Sequence, residues 1–209
     1  VGFLLMKNNW PTKKLGEVAD FLDSKRKPVT ASDRIPGPYP YYGANGQQDL
    51  VNGYIFDDDL VLLAEDGGYF GSKDRSIAYR VSGKCWVNNH AHVLKAKSNI
   101  INVDFLGYSL KYYDVKPFIS GTTRAKLNKS DASNIPLNIP EMKIQKKIVE
   151  RLDAIRKAQE LCDTQIQKTK ELFESSLSKE FGSNKSWGVK KLPELAKIQR
   201  GKFTPRPRN

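Results

Sequence analysis

Residues 141–181 read EMKIQKKIVERLDAIRKAQELCDTQIQKTKELFESSLSKEF and contain neither proline nor glycine. The stretch follows Pro140 and precedes Gly182, a residue type that commonly ends helices. Its apolar residues recur every three or four positions, which predicts one α-helix of about 38 residues and roughly 57 Å. A helix of this length is too long to be buried in a domain of the size that remains.

The apolar residues of this helix form a heptad seam. In chain order the seam residues are Ile148, Leu152, Ile155, Gln159, Cys162, Ile166 and Phe173. Such a seam calls for a partner helix, because it would otherwise face water. The alternative is a lone solvent-exposed helix. The polar Gln159 within the seam lowers stability but can fix the register of the pair.

Residues 1–140 predict a compact, irregular, β-rich domain. Short apolar runs at residues 54–56, 60–64, 77–81 and 85–87 are typical of strands, and turn sequences separate them. Prolines exclude a helix at residues 36–40, whereas residues 105–113 predict one. The predicted fold class is α+β, with one β-rich domain at residues 1–140 followed by a long coiled-coil-forming helix at residues 141–181.

The charge of the chain is strongly basic. The formal net charge is +12, from 35 basic and 23 acidic residues. Residues 1–140 hold 18 basic and 14 acidic residues, residues 141–181 hold 9 and 8, and residues 182–209 hold 8 and 1. A basic chain with aromatic side chains suggests a polyanionic partner, most often nucleic acid.

The sequence also indicates a cellular compartment. No apolar run is long enough to span a bilayer, and the five apolar residues at the start lack the features of a signal peptide. Met6 is expected to be a translation start, which makes residues 1–5 an upstream extension. The two cysteines, Cys85 and Cys162, lie far apart and are predicted to be free thiols in the reducing cytoplasm.

No catalytic or metal site is predicted. The acidic run at residues 57–59 lacks the spaced acids and lysine of a nuclease, and a solvated loop is the preferred interpretation. Residues 67–73 are one residue short of a phosphate-binding loop. Cys85, His90 and His92 have irregular spacing for zinc, so structural hydrogen bonds are expected of the two histidines.

An internal repeat marks a second unit. Residues 10–19, WPTKKLGEVA, return at residues 187–196 as WGVKKLPELA, with six of ten positions identical at an offset of 177. Residues 182–209 are therefore expected to be the truncated start of a second domain. Either the parent chain has two domains and is cut short, or the gene itself ends here.

An ordered set of motifs resembles the specificity (S) subunit of type I restriction-modification systems. The motifs are the opening at residues 10–18, YYGANG at 41–46, LLAEDG at 62–67, WVNNHAHVL at 86–94, GTTRAKLN at 121–128, IPLNIP at 135–140 and QKKIV at 145–149. The resemblance covers about residues 10–209. It implies a non-catalytic subunit that directs methyltransferase and restriction subunits to a bipartite DNA site.

The family resemblance also implies an assembly. A full S subunit has two target-recognition domains separated by two helices that pack as an antiparallel coiled coil, whereas this sequence has one domain and one helix. Two copies would restore the full plan, so an antiparallel homodimer is the hypothesis. No cofactor is expected on this chain; S-adenosylmethionine, ATP and Mg are expected on the partner subunits.

DNA contact is the chemistry that remains for this chain. Phosphates are bound by basic side chains, and base edges by amide, basic and shaped apolar ones. The candidate phosphate contacts are Lys25, Arg26, Lys27, Lys73, Arg75, Arg124 and Lys126. The candidate base readers are Tyr42, Asn45, Gln47 and Gln48. Alternatives are a stand-alone DNA-binding regulator of the same fold, a catalytic nuclease or methyltransferase, and an RNA-binding coiled-coil protein.

Overall fold

The computed structural model describes residues 10–120, 125–182, 188 and 190–197. Within these residues the strands are β1 (Thr12–Lys14), β2 (Ala19–Phe21), β3 (Pro36–Gly43), β4 (Gly46–Val51), β5 (Phe56–Asp57), β6 (Leu60–Ala64), β7 (Ala78–Val81), β8 (Lys84–Val87), β9 (Ala91–Ala96) and β10 (Pro136–Asn138). The α-helices are α1 (Leu15–Val18), α2 (Val103–Lys111), α3 (Lys129–Ser133), α4 (Met142–Leu177) and α5 (Leu192–Leu195). The α+β prediction, with one long helix, is confirmed.

Three small sheets build the first compact unit, which extends to Ile155. One antiparallel sheet has the order β2-β9-β6-β7. A second has the order β4-β3-β8-β5, in which β3 and β8 run parallel. The third pairs β1 with β10, which joins the start of the unit to the segment just before α4.

Strand β6 separates two hydrophobic cores. Val61 and Leu63 belong to one core, together with the apolar face of α2, and Leu60 and Leu62 belong to the other. All five residues of β6 are buried. A strand buried on both faces has no polar alternation, which explains the uninterrupted apolar run in the sequence.

Three predicted strands, at residues 60–64, 77–81 and 85–87, are confirmed as β6, β7 and β8, with bounds shifted by at most one residue. The predicted strand at residues 54–56 is displaced and begins only at Phe56. The predicted helix at 105–113 begins earlier, at Val103, because the Asn102 side chain accepts hydrogen bonds from the first turn. The sequence does not predict strands β3 and β4. Proline is uncommon within strands, and residues 36–40 of β3 contain three prolines.

Helix α4 starts on the first unit and is anchored there by Gln145. The buried Gln145 amide donates to the carbonyls of Ile100 and Pro140 and accepts from the Asn102 N–H. Val149 is buried, and Ile148 packs half-buried against the first core. The first predicted seam residue therefore packs within its own unit, whereas Ile155 and the later seam residues are exposed.

The second unit runs from Arg156 and includes the rest of α4, which is followed by a π-helical turn at Ser178–Gly182. The short helix α5 has the same form as α1: the preceding residues, Lys191 and Lys14, have nearly equal backbone angles. The local structure thus follows the sequence repeat. Its packing does not, because the α1 leucine Leu15 is buried and its counterpart Leu192 is exposed. No helix in the described part of the chain is long and apolar enough to cross a membrane.

Candidate nucleic-acid interface

A network of charged side chains lies at the end of strand β6. Glu65, the next residue after the strand, pairs with Arg26 at 2.7 Å and with Lys126 at 3.0 Å. Asp23 pairs with the buried His92 at 2.7 Å and lies 3.7 Å from Arg26. The network therefore joins two of the predicted phosphate contacts, Arg26 and Lys126, although 100 residues separate them in the sequence.

The backbone at each end of the network explains its position. Residues Asp23–Lys25 form a 3₁₀ turn, and the Arg26 side chain closes it by donating to the Asp23 carbonyl at 3.1 Å. The same guanidinium donates to the Ala91 carbonyl at 2.7 Å, which holds the turn against β9. Arg26 thus holds neighbouring segments together, and its side chain is only 13% exposed. We therefore do not propose it as a phosphate contact.

The two acids of the network stay ionised although they are largely buried. Burial raises the pKa of the Asp23 carboxyl, but its hydrogen bond with His92 and the nearby charges of His92 and Arg26 outweigh this and lower it. Burial likewise raises the pKa of Glu65, and the hydrogen bonds from Arg26 and Lys126 lower it below its ordinary value. Both carboxylates are therefore stabilised by the basic residues around them.

The β3–β4 hairpin tip carries the candidate base readers. The Asn45 amide donates to the Gly67 carbonyl at 2.9 Å, and the Gln48 side chain accepts from Asn88 at 3.2 Å. Gln47 is exposed. Tyr42 instead packs half-buried against the second core, with its ring 5.8 Å from that of Tyr79. Tyr42 is thus less exposed than the other three candidate base readers.

The remaining predicted phosphate contacts are divided among separate segments. Lys25, the last residue of the 3₁₀ turn, and Lys27, just after it, are exposed. Lys73 and Arg75 are exposed between β6 and β7. The Arg75 guanidinium lies over a tyrosine ring, that of Tyr69, at 4.5 Å. Arg124 and the neighbouring residues 121–123 lie outside the described residues.

A polar cleft of about 380 Å³ lies beside the hairpin and includes residues that the sequence did not single out. Its lining includes Thr30, Arg34, Gln48, Asn88, Asn89 and His90. Asn88 is buried and accepts from the His90 N–H, so it braces the fold, whereas Asn89 is exposed. The cleft is assembled from three separate segments, and no local pattern could have indicated it.

Two carboxylates of the acidic run at residues 57–59 form ion pairs. In the acidic run, Asp58 pairs with Lys95, and Asp59 pairs with Arg80. Among the described residues, the side chains of Asp23, Glu65 and His92 lie close enough together to bind a metal ion, with their ligand atoms within 4.8 Å of one another. The basic residues described above already neutralise its carboxylates, so the group does not fit a cation.

The cysteines and histidines also separate in space. Cys85 is buried in the second core, where burial raises its pKa to about 11, while His92 lies in the charged network. His90 pairs with Asp66 at 2.5 Å. The histidines therefore make structural hydrogen bonds, as expected. Cys85 and Cys162 are both free thiols, the first buried and the second exposed.

Comparisons with known proteins agree with the sequence motifs. The family model of the type I restriction modification DNA specificity domain matches residues 7–171. A putative type I restriction enzyme specificity subunit of Haemophilus influenzae is 44% identical over 143 residues, covering 68% of this chain and 36% of the relative. The type I restriction enzyme MjaVIII specificity subunit of Methanocaldococcus jannaschii is 24% identical, and the match covers 96% of this chain and 52% of the relative.

The fold leads to the same group of proteins. The crystal structure of a type I restriction-modification S subunit from M. genitalium superimposes with a TM-score of 0.64 at 15% identity, covering 87% of this chain and 48% of that one. The chain belongs to the type I restriction-modification DNA specificity family. This membership confirms the resemblance to type I specificity subunits that the sequence motifs indicate. The chain spans between about a third and a half of the length of the curated relatives it matches.

The charged network should make the free energy of unfolding depend on pH in the acid range. Asp23 and Glu65 both have lowered pKa values in the folded chain, so the stability they contribute is present above their unfolded pKa values and is lost as pH falls through the folded ones. We expect the free energy of urea unfolding to decrease between about pH 5 and pH 3. The double variant Asp23→Asn, Glu65→Gln should be less stable and show a flatter acid dependence. An acid dependence as steep as that of the unmodified chain would contradict this assignment.

Proposed function

We propose that this chain is the sequence-reading component of a type I restriction-modification complex and binds one half of a bipartite DNA site. One observation carries the proposal: candidate DNA contacts from four separate segments are joined within one compact unit. Through Arg26, Glu65 joins the turn that carries Lys25 and Lys27 to the segment of Lys126. Asn45 ties the hairpin tip to the segment that carries Lys73. Fixed loops that present basic and amide side chains are suited to reading a duplex.

The chemistry of methylation and cleavage is proposed to lie elsewhere. Asp58, Asp59 and Glu65 are each paired with a basic residue, which disfavours a role for these three in metal-assisted cleavage. We therefore propose a modification subunit that carries S-adenosylmethionine and a restriction subunit that uses ATP and Mg as partners. The complex would act on cellular DNA in the cytoplasm.

The exposed lysines beside the 3₁₀ turn offer a test of DNA contact. Replacing Lys25 and Lys27 together by glutamine should weaken binding about equally for all DNA sequences, because phosphates carry no sequence information. The slope of log affinity against log salt should lessen by about 0.9 for each lost phosphate contact. Fluorescence anisotropy with a labelled duplex measures both quantities. Lys147→Gln, on an exposed position of α4, is the control; equal slopes for all three proteins would refute the contact.

The exposed part of the α4 seam supports a homodimer. Ile155, Ile166 and Phe173 are 57%, 55% and 64% exposed, and Cys162 is exposed between them. At about 100° per residue these four side chains fall within one narrow stripe of the helix. We propose that the stripe packs against the same stripe of a second, antiparallel copy, which supplies the second recognition domain.

A charge placed in the seam should separate the two copies. The double variant Ile166→Glu, Phe173→Glu brings like charges into the proposed interface, so we expect a dimer for the unmodified chain and a monomer for the variant at micromolar concentration. Multi-angle light scattering distinguishes them. Leu172→Glu is the matched control, because Leu172 is equally apolar and 68% exposed but lies about 100° away from the stripe. A monomeric unmodified chain, or dissociation by the control alone, would contradict the dimer.

A further inference from the structure

The buried ring of His92 has an acceptor at each nitrogen. Its Nδ1 lies 2.7 Å from an Asp23 carboxylate oxygen, and its Nε2 lies 2.7 Å from the Leu127 carbonyl oxygen. A neutral imidazole has one N–H and one lone pair, so it can donate to only one of them. The other Asp23 oxygen accepts from the Val93 N–H, which leaves the carboxylate in the acceptor role. Only a doubly protonated ring donates to both neighbours.

The charge balance around the ring favours the same state. The charged groups that face His92 are the carboxylates of Asp23 and Glu65, the latter 3.6 Å from Nδ1, together with Arg26 and, through Glu65, Lys126. The side chains of Asp23, Glu65 and Arg26 are at most 13% exposed. Lys126 is 46% exposed, so water screens its charge. With an imidazolium at His92, the buried part holds two negative and two positive charges. A neutral ring would leave one buried carboxylate without a buried counter-charge, which is costly.

Through the Leu127 carbonyl, the His92 ring contacts the backbone next to Lys126, a predicted phosphate contact. The Leu127 N–H donates to the Glu65 carbonyl at 2.8 Å, so the residue is fixed through both of its backbone groups. Immediately before it, Lys126 exchanges two backbone hydrogen bonds with Ser120, at 2.9 and 3.0 Å. The position of the Lys126 side chain thus depends on a backbone anchor whose buried donor is His92.

We infer that His92 is a buried imidazolium that acts as a positioning residue, holding the segment that ends at Leu127 so that Lys126 meets a DNA phosphate. The protonation of His92 is a property of the free protein. The consequence for DNA rests on the proposed function. The ring itself is 1% exposed and does not reach the DNA.

The protonation state can be measured directly on the free chain. In ¹⁵N-histidine NMR at neutral pH, both ring nitrogens of His92 should resonate as N–H nitrogens. The chain has two histidines, so a His90→Gln sample assigns the signals. One unprotonated nitrogen in the His92 ring would overturn the inference whatever the protein does with DNA.

The positioning role is tested with His92→Gln, whose amide has donors on one side only and cannot donate to both neighbours. We expect faster amide hydrogen exchange at Lys126 and Leu127, and a dissociation constant about tenfold higher for a duplex carrying the recognised site. His90→Gln is the control, since His90 is more exposed and pairs with Asp66 instead; it should leave exchange at both amides unchanged.

The outcomes separate the two parts of the proposal. Faster exchange in His92→Gln with unchanged DNA affinity would refute the positioning role while leaving the anchor in place. Unchanged exchange would refute the anchor itself. If the unmodified chain binds no duplex, the proposed function fails, and the NMR and exchange results still decide the state of His92.

Discussion

An ionised carboxylate next to a strand buried on both faces is unfavourable by several kcal/mol unless basic groups neutralise it. Glu65 occupies such a position, because it directly follows β6, the strand shared by the two hydrophobic cores. The basic groups come from distant parts of the chain, Arg26 and Lys126. The requirement to neutralise Glu65 therefore draws together the turn after β2 and the segment before α3, and both lie where DNA contacts are proposed.

This arrangement divides the work between buried and exposed residues. The buried members of the network hold the segments in place, and the exposed Lys25 and Lys27 nearby are the proposed phosphate contacts. The long helix serves a different purpose: its first turns are anchored by Gln145, and beyond Ile155 its apolar stripe is open. This exposed stripe is the surface on which the proposed pairing with a second copy depends.

Local patterns in the sequence predicted the long helix and β6. A long periodic stretch without proline or glycine favours a helix, and a short apolar run between turn signals favours a buried strand. The ordered motifs were sufficient for the family. The β3–β4 hairpin was missed since prolines hide its first strand, and the approach of Asp23 to His92 was missed since 69 residues separate them. The partial burial of Tyr42 against the second core could not be predicted, because single positions in a sequence do not show burial. Such features depend on tertiary packing, which a local pattern does not encode.

Methylome sequencing of cells with and without this gene tests the central claim most directly. A chain that reads DNA as a two-fold homodimer should direct methylation to one interrupted site whose two halves are identical and inverted. That methylation should disappear when the gene is removed. An unchanged methylome would contradict the assignment as a specificity subunit, and a site with two different halves would contradict the homodimer.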